Sequence, residues 1–227
     1  MKVAVRKPAK LKPPSHRHAA ALIKAGYPLV VGIDEVGRGC WAGPVVAAAV
    51  ILPPGTRKLA GVTDSKLLTH PRRVTLARLI KRHALAVGVG WVSAADIDAH
   101  GLTWAVRQSG LRALEHMRHP YDAVLLDGNH NYLRDHCYAQ TIIKGDQLSL
   151  SIAAASVVAK VARDHYMKLQ HRLFPDYDFA ANKGYGTPRH AIAVRTALSP
   201  LHRRLFKPVQ LAADGFFEAL DFADEHD

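Results

Sequence analysis

The chain is short of cysteine, of acid and of long apolar runs, and each shortage excludes something. Cys40 and Cys137 are the only cysteines among 227 residues. That is too few for a disulfide framework, or for a cysteine-based zinc site without other ligands. Two small buried or half-buried thiols in a reducing cytoplasm fit the count. No apolar stretch approaches the ~20 residues that a membrane-spanning helix needs, so no membrane association is expected. Residues 1–18 hold six Lys or Arg and no acid, yet they lack the apolar segment of a secretory signal. The histidines number 14, but none has a metal-binding spacing such as HExxH. "GRGCWAG" lacks the lysine of a nucleotide-phosphate loop.

Acid is scarce and unevenly placed. Lys and Arg outnumber Asp and Glu by 31 to 19, a net charge of +12, and the first acid is Asp34. A basic surface of this kind favours polyanionic partners, nucleic acid first. Residues 214–227 reverse the balance with six acids and no Lys or Arg, and read as a solvated helix face.

What is present is a core: 48% of the residues are hydrophobic, enough for one large domain. "SHRHAAALIKAG" reads as a short helix with Ser15 as N-cap and Gly26 as its stop. Strands are expected at 28–34, 43–52, 85–93, 121–127 and 138–145, each an apolar or alternating run bounded by turn residues. Helical spacing covers "HPRRVTLARLIKRHA", residues 94–117 (with Gly101 and Gly110 against continuity), and "QLSLSIAAASVVAKVARDHYMKLQ". A loop over 180–188 containing "NKGYGTP" precedes a last helical set near 189–222. Strands come early in hairpin-like succession and then alternate with helices. That pattern predicts an α/β fold with a mixed sheet covered by helices, not a pure Rossmann alternation.

Four acids fall where a strand ends or a helix begins: Asp34, Glu35, Asp127 and Asp146. Strand ends of one sheet converge, so acids distant in sequence can share a site. Clustered carboxylates repel and hold their protons unless a cation joins them. Mg²⁺ or Mn²⁺ prefers oxygen ligands, and a pair of such ions clamps the attacking and leaving oxygens of phosphoryl transfer. Taken singly, Asp127 before Gly128 also suits a turn, and Asp146 also suits a helix cap. Neighbours on an ideal strand point to opposite faces, so Asp34 and Glu35 need either a distorted strand or unequal roles. Asp164 lies 18 residues after Asp146. On a continuous helix the two are separated by roughly 27 Å, so "RD" at 163–164 reads as a surface or helix-packing pair.

"GIDEVGRGCWAGPVVAAAV", "TDSKLLT", "LLDGN", "KGDQLSLSIAAASVVAKVARDHYM" and "NKGYGTPRHAIAV...SPLHRRLFKPV" follow one another in this order. Together, from about residue 28 to 209, they resemble ribonuclease HII, the type 2 ribonuclease H. The resemblance implies a ribonuclease H-like mixed five-stranded sheet flanked by helices, with a C-terminal helical extension (about 188–222). It implies endonucleolytic cleavage of RNA in RNA–DNA hybrids, and incision 5′ of single ribonucleotides in duplex DNA, leaving 3′-OH and 5′-phosphate. By position Asp34, Glu35, Asp127 and Asp146 match the family's catalytic metal-site acids, with Mg²⁺ or Mn²⁺ in a two-metal site. Gly37, Arg38 and Gly39 match the loop that reads the ribose 2′-OH. Tyr185 matches the tyrosine that stacks beside the RNA–DNA junction, and Lys66 a residue near the substrate phosphates. The partners implied are RNA–DNA hybrid and ribonucleotide-containing duplex DNA, met by a cytoplasmic monomer.

This chain departs from the family pattern at Asp178 and Leu198, where glycine is commoner, and at Leu205, usually a small polar residue. Residues 1–14 lie outside the match and form a basic leader expected to lack fixed structure, before one catalytic unit over 15–227. Two other readings compete. One is a non-catalytic basic RNA-binding module with the acids as caps and turns; the other is a different nuclease on the same fold. Carboxylates converging on a metal favour an enzyme, and dispersed ones favour a binder.

Overall fold

Apolar runs build the sheet, and their ends leave acids at one edge. A computed structural model of the chain describes residues 13–56 and 59–216. In chain order the elements are α1 (Arg17–Lys24), β1 (Val30–Val36), β2 (Val45–Ile51), α2 (His70–His83), β3 (Ala86–Val92), α3 (Ala94–His100), α4 (Leu102–Met117), β4 (Ala123–Asp127), β5 (Ala139–Ile142), α5 (Gly145–Leu148), α6 (Leu150–Leu173), α7 (Phe179–Asn182), α8 (Pro188–Thr196) and α9 (Lys207–Ala213). Most of the basic leader, the end of the C-terminal helical set and most of the acidic stretch lie outside the described residues. Pro14, at the leader's end, is buried.

The five strands form one mixed sheet in the order β3-β2-β1-β4-β5. β1, β2 and β3 pair antiparallel, whereas β4 pairs parallel with both β1 and β5. Val31 and Ile33 of β1 join Ala113, Leu114 and Met117 of α4 in the core of one face. Ala48 and Val50 of β2 meet Leu76 and Ile80 of α2 and the alanine-rich start of α6 on the other. The sheet is thus covered on both faces, as a strand like β2 with every residue buried requires. Small residues set the depth of this packing. A Cβ on Gly32 would stand 2.3 Å from the Ser151 carbonyl carbon, so α6 lies directly on β1.

Two expectations change. The helix predicted over 94–117 breaks at Gly101, whose φ of +83° ends α3 and starts α4; Gly110 is accommodated inside α4. The helix expected to run from Gln147 is interrupted at Ser149, in extended geometry, so Asp146 sits on the separate turn α5. Asp146 therefore does not cap the long helix. Of the two roles expected for Arg163 and Asp164, surface or helix packing, their burial leaves the second. Asp164 pairs with Lys160 at 2.9 Å and lies 3.8 Å from Arg73, a helix-packing role.

Candidate active site

The end of β1 projects past its parallel neighbour, and that offset makes the site. β1 and β4 stay in register as far as Ile33 opposite Leu126. The next residues, Asp34 and Asp127, therefore stand side by side on strands about 4.8 Å apart. β1 continues undistorted, with Glu35 opposite Ala47 and Val36 opposite Val46 of β2. Asp34 shares a face with Gly32 toward α6, and Glu35 shares one with Ile33 toward α4. Beyond the end of β4 both faces open into the same cavity, so alternation does not separate the two acids. Asp146 arrives from α5, directly after β5.

This cavity, of about 290 Å³, is lined by Asp34, Glu35, Asp127 and Asp146 together with Gly37, Arg38, Gly39, Lys66 and Tyr185. Every site residue read from the sequence therefore reaches one place. Ser65, Ser156 and Lys160 line it as well, and sequence reasoning missed all three. Lys66 is held by a 3₁₀ turn capped by Asp64, whose Oδ1 accepts from the Lys66 N–H at 2.9 Å.

The electrostatics are those of buried acids crowded against one another. Burial, then the charges of Glu35 and Asp127, push Asp34 well above the usual carboxylate range; a hydrogen bond with Ser156 opposes the rise. Burial raises Glu35, partly offset by Arg38. Asp146 is pushed up to about 7 by burial and then by Asp64 and Asp127, with Lys66 opposing. Asp64 is a buried acid that the sequence reading passed over, although it opens the "DSK" motif. Arg38 pairs with Glu35 Oε1 at 3.2 Å, and as an exposed side chain contributes little stability. It occupies one carboxylate oxygen only; Glu35 Oε2 is buried with no hydrogen-bond partner. An orphaned buried carboxylate oxygen among acids that resist ionisation fits a hard divalent cation bound through oxygen alone. Among the described residues no three such side chains already form a closed ligand set.

Two buried arginines organise the loop after β1. Arg203 donates through Nη1 to the Arg38 carbonyl at 2.7 Å and through Nη2 to the carbonyls of Gly37 at 2.5 Å and Gly43 at 3.0 Å. Arg163 donates to Pro44, Lys183 and Ala42 carbonyls at 2.9, 2.8 and 3.0 Å. Gly37 has φ +93°, and a Cβ there would stand 2.4 Å from Arg163 Nε. Gly39 differs: a Cβ there would meet nothing within 4 Å, so its bareness answers to no contact inside the chain.

The tyrosine loop is tied to the same unit. Trp41 N–H donates to the Gly184 carbonyl at 2.8 Å. His190 Nδ1 donates to the Tyr185 carbonyl at 2.8 Å, and its Nε2 is 2.9 Å from His202 Nε2. Ser199 N–H donates to His202 Nδ1, so His202 carries its proton on Nε2 and donates it to His190. Burial, then His190, pulls His202 down to about 4, which keeps the relay neutral. The nearby Cys40 thiol and burial raise the Tyr185 phenol, leaving a neutral, partly exposed ring 5.9 Å from Lys160 Nζ. The departures from the family pattern also find their places. Asp178 takes a left-handed φ of +55°, which Asp tolerates better than most residues, and pairs with Arg189 at 3.3 Å. Leu198 packs near Trp41 and Val194, and Leu205 is exposed.

A family model described as Ribonuclease HII matches residues 31–209. A ribonuclease HII from Chloroflexus aurantiacus is 48% identical over 194 residues, 83% of this chain and 91% of the relative. One from Geobacillus kaustophilus is 46% identical, over 86% of this chain and 74% of its own length. Among solved structures, the ribonuclease H2 of Pyrococcus horikoshii superposes with a TM-score of 0.72 at 23% identity, covering 83% of this chain and 98% of that one. It shares the fold.

Proposed function

The chain belongs to the ribonuclease HII family, and from that premise we propose that its carboxylate cavity is the active site of a divalent-metal-dependent endonuclease acting on RNA–DNA hybrids and on single ribonucleotides in duplex DNA. The observation that carries this reading is the gathering of Asp34, Glu35, Asp127 and Asp146 into one cavity with the glycine loop and Tyr185. A non-catalytic binding module gives no account of four acids gathered against their mutual repulsion. Two Mg²⁺ or Mn²⁺ ions held among those acids would supply the positive charge that activates water and stabilises the leaving 3′ oxygen.

The remaining groups bind and orient. Gly37, Arg38 and Gly39 present backbone to the ribose, where a 2′-OH that donates and accepts distinguishes RNA from DNA. Arg203 fixes the Gly37 and Arg38 carbonyls, so the loop is set before substrate arrives. Tyr185 offers an aromatic face to the junction sugar, as aromatic side chains do to the bases of bound strands. Lys66 and Lys160 line the same cavity and bring positive charge to the substrate phosphates. We place the protein in the cytoplasm as a monomer; both cysteines are free, and no described helix is long and apolar enough to cross a membrane.

The two glycines give a separable test. Gly37→Ala should destabilise the fold, because its left-handed φ and the Arg163 side chain leave no place for a methyl group. Gly39→Ala should melt within about 2 °C of wild type, as a substitution into open space does, yet lose roughly tenfold or more in cleavage at a single ribonucleotide. Thermal unfolding beside a gel assay decides it. A Gly39→Ala protein that cleaves normally would remove the loop from ribose recognition.

A further inference from the structure

We propose that a second cavity, next to the carboxylates and built on α2, α6 and the loop after α7, is a subsite for one backbone phosphodiester of the bound duplex. It has a volume of about 420 Å³, and its charged lining is Arg73, Lys160, Lys168 and Lys183 against the single acid Asp164, with His70 at the rim. That acid is already engaged by Lys160 and Arg73. Arg73 is itself anchored through Nη1 to the Ser65 carbonyl at 2.9 Å, while its Nε is buried without a partner. Lys168 is exposed, with His70 Nε2 3.0 Å away.

The cations crowd one another as the acids do next door. Burial lowers Lys183, with Lys168 and Lys160 adding to the drop and Asp164 opposing it. Burial, then Lys168 and Arg73, likewise lowers His70. An anion with several acceptor oxygens relieves this, and a phosphate is the anion a nucleic acid brings.

Position selects a backbone phosphate over a free one. The cavity shares Lys160 and Tyr185 with the carboxylate cavity. On the far side of the carboxylates a third cavity, with Thr103, Asn129 and His130 in its lining, adds no Lys or Arg beyond Arg38. The cleft is thus cationic at one end. A duplex carries one charge per ~3.4 Å of axis on each strand, so a strand seated at the carboxylates delivers further phosphates to its neighbourhood.

This subsite rests on the active-site reading above, and the test separates the two. Binding is measured with Ca²⁺ in place of Mg²⁺, on a duplex carrying one ribonucleotide and on copies bearing a single neutral methylphosphonate at successive positions. Wild type should lose about 5–10-fold in affinity at one position near the ribonucleotide. Lys168→Gln should bind the all-phosphate duplex about as weakly, lose nothing further at that position, and show a salt slope shallower by about 0.9. As an exposed substitution it should melt like wild type. Equal methylphosphonate penalties in both proteins at every position overturn the subsite. So does competition by inorganic phosphate without any position-dependent difference, which would assign the cavity to a free oxyanion. Failure of wild type to prefer the ribonucleotide duplex at all would instead sink the active-site reading.

Discussion

Asp34→Asn should cut turnover by about 10²–10³-fold or more, the scale of losing a group that organises transition-state charge, while making the metal-free protein more heat-stable at pH 8. The two effects share one cause. Asp34 is buried among Glu35, Asp127 and Asp146 and holds its proton far above the usual carboxylate range. Below about pH 4 the carboxyl is protonated in both folded and unfolded chains, and ionisation costs the fold nothing. As pH rises the unfolded chain ionises first, so stability is lost through the interval up to the raised folded value. Asp146 adds a loss between the ordinary value of 3.8 and about 7. Asparagine removes the Asp34 share, so its thermal midpoint should match wild type at pH 4 and exceed it at pH 8 by about 2–4 °C for each ~1 kcal/mol relieved. Scanning calorimetry in chelator, beside turnover at saturating Mg²⁺, tests both. Equal midpoints at every pH would mean that the acids do not crowd one another, and near-normal turnover would remove Asp34 from the metal site.

Arg203→Met should lower stability by about 3 kcal/mol, or roughly 6–12 °C in a chain of this size. The side chain is 1% exposed and supplies donors to the Gly37, Arg38 and Gly43 carbonyls. Methionine fills similar volume but strands these acceptors, each at about 1–3 kcal/mol. Relief from burying a cation offsets part of the loss. That cost is tempered because burial pulls Arg203 down only to about 10, leaving it charged at neutral pH. Amide exchange over residues 37–43 should accelerate with the loss of these bonds, and single-ribonucleotide cleavage should fall at a temperature where the variant is still folded. Arg38→Met, on a side chain 63% exposed, should change stability by less than about 0.5 kcal/mol. An Arg203→Met midpoint within a degree of wild type would leave the loop's order without its stated cause.

The strands and the four acids were legible because they follow local rules: apolar runs bounded by glycine and proline, and acids where such runs stop. Asp34 next to Glu35 posed a problem of faces that periodicity could not resolve. Its answer lies in register, since β1 outruns β4 and both faces open beyond the end of β4. Ser149 was hidden because nothing in its neighbours forbids a helix; Ser15 N–H and C=O pair with Leu148 and Leu150 around it, a partnership from far along the chain. Arg163, Arg203, His190 and His202 were equally hidden. Each is polar in type and buried in fact, and each is satisfied by carbonyls or rings that only tertiary structure supplies. The cationic cavity drew on α2, α6 and the loop after α7, so no single stretch of sequence announced it.

The most direct test of the account uses an end-labelled DNA duplex with one ribonucleotide, incubated with the wild-type protein with and without Mg²⁺ or Mn²⁺. The account predicts a single metal-dependent nick on the 5′ side of the ribonucleotide, leaving 3′-OH and 5′-phosphate, and an intact strand when that nucleotide is deoxy. An uncut ribonucleotide duplex in the presence of either metal, or equal cutting of the all-DNA duplex, would contradict it.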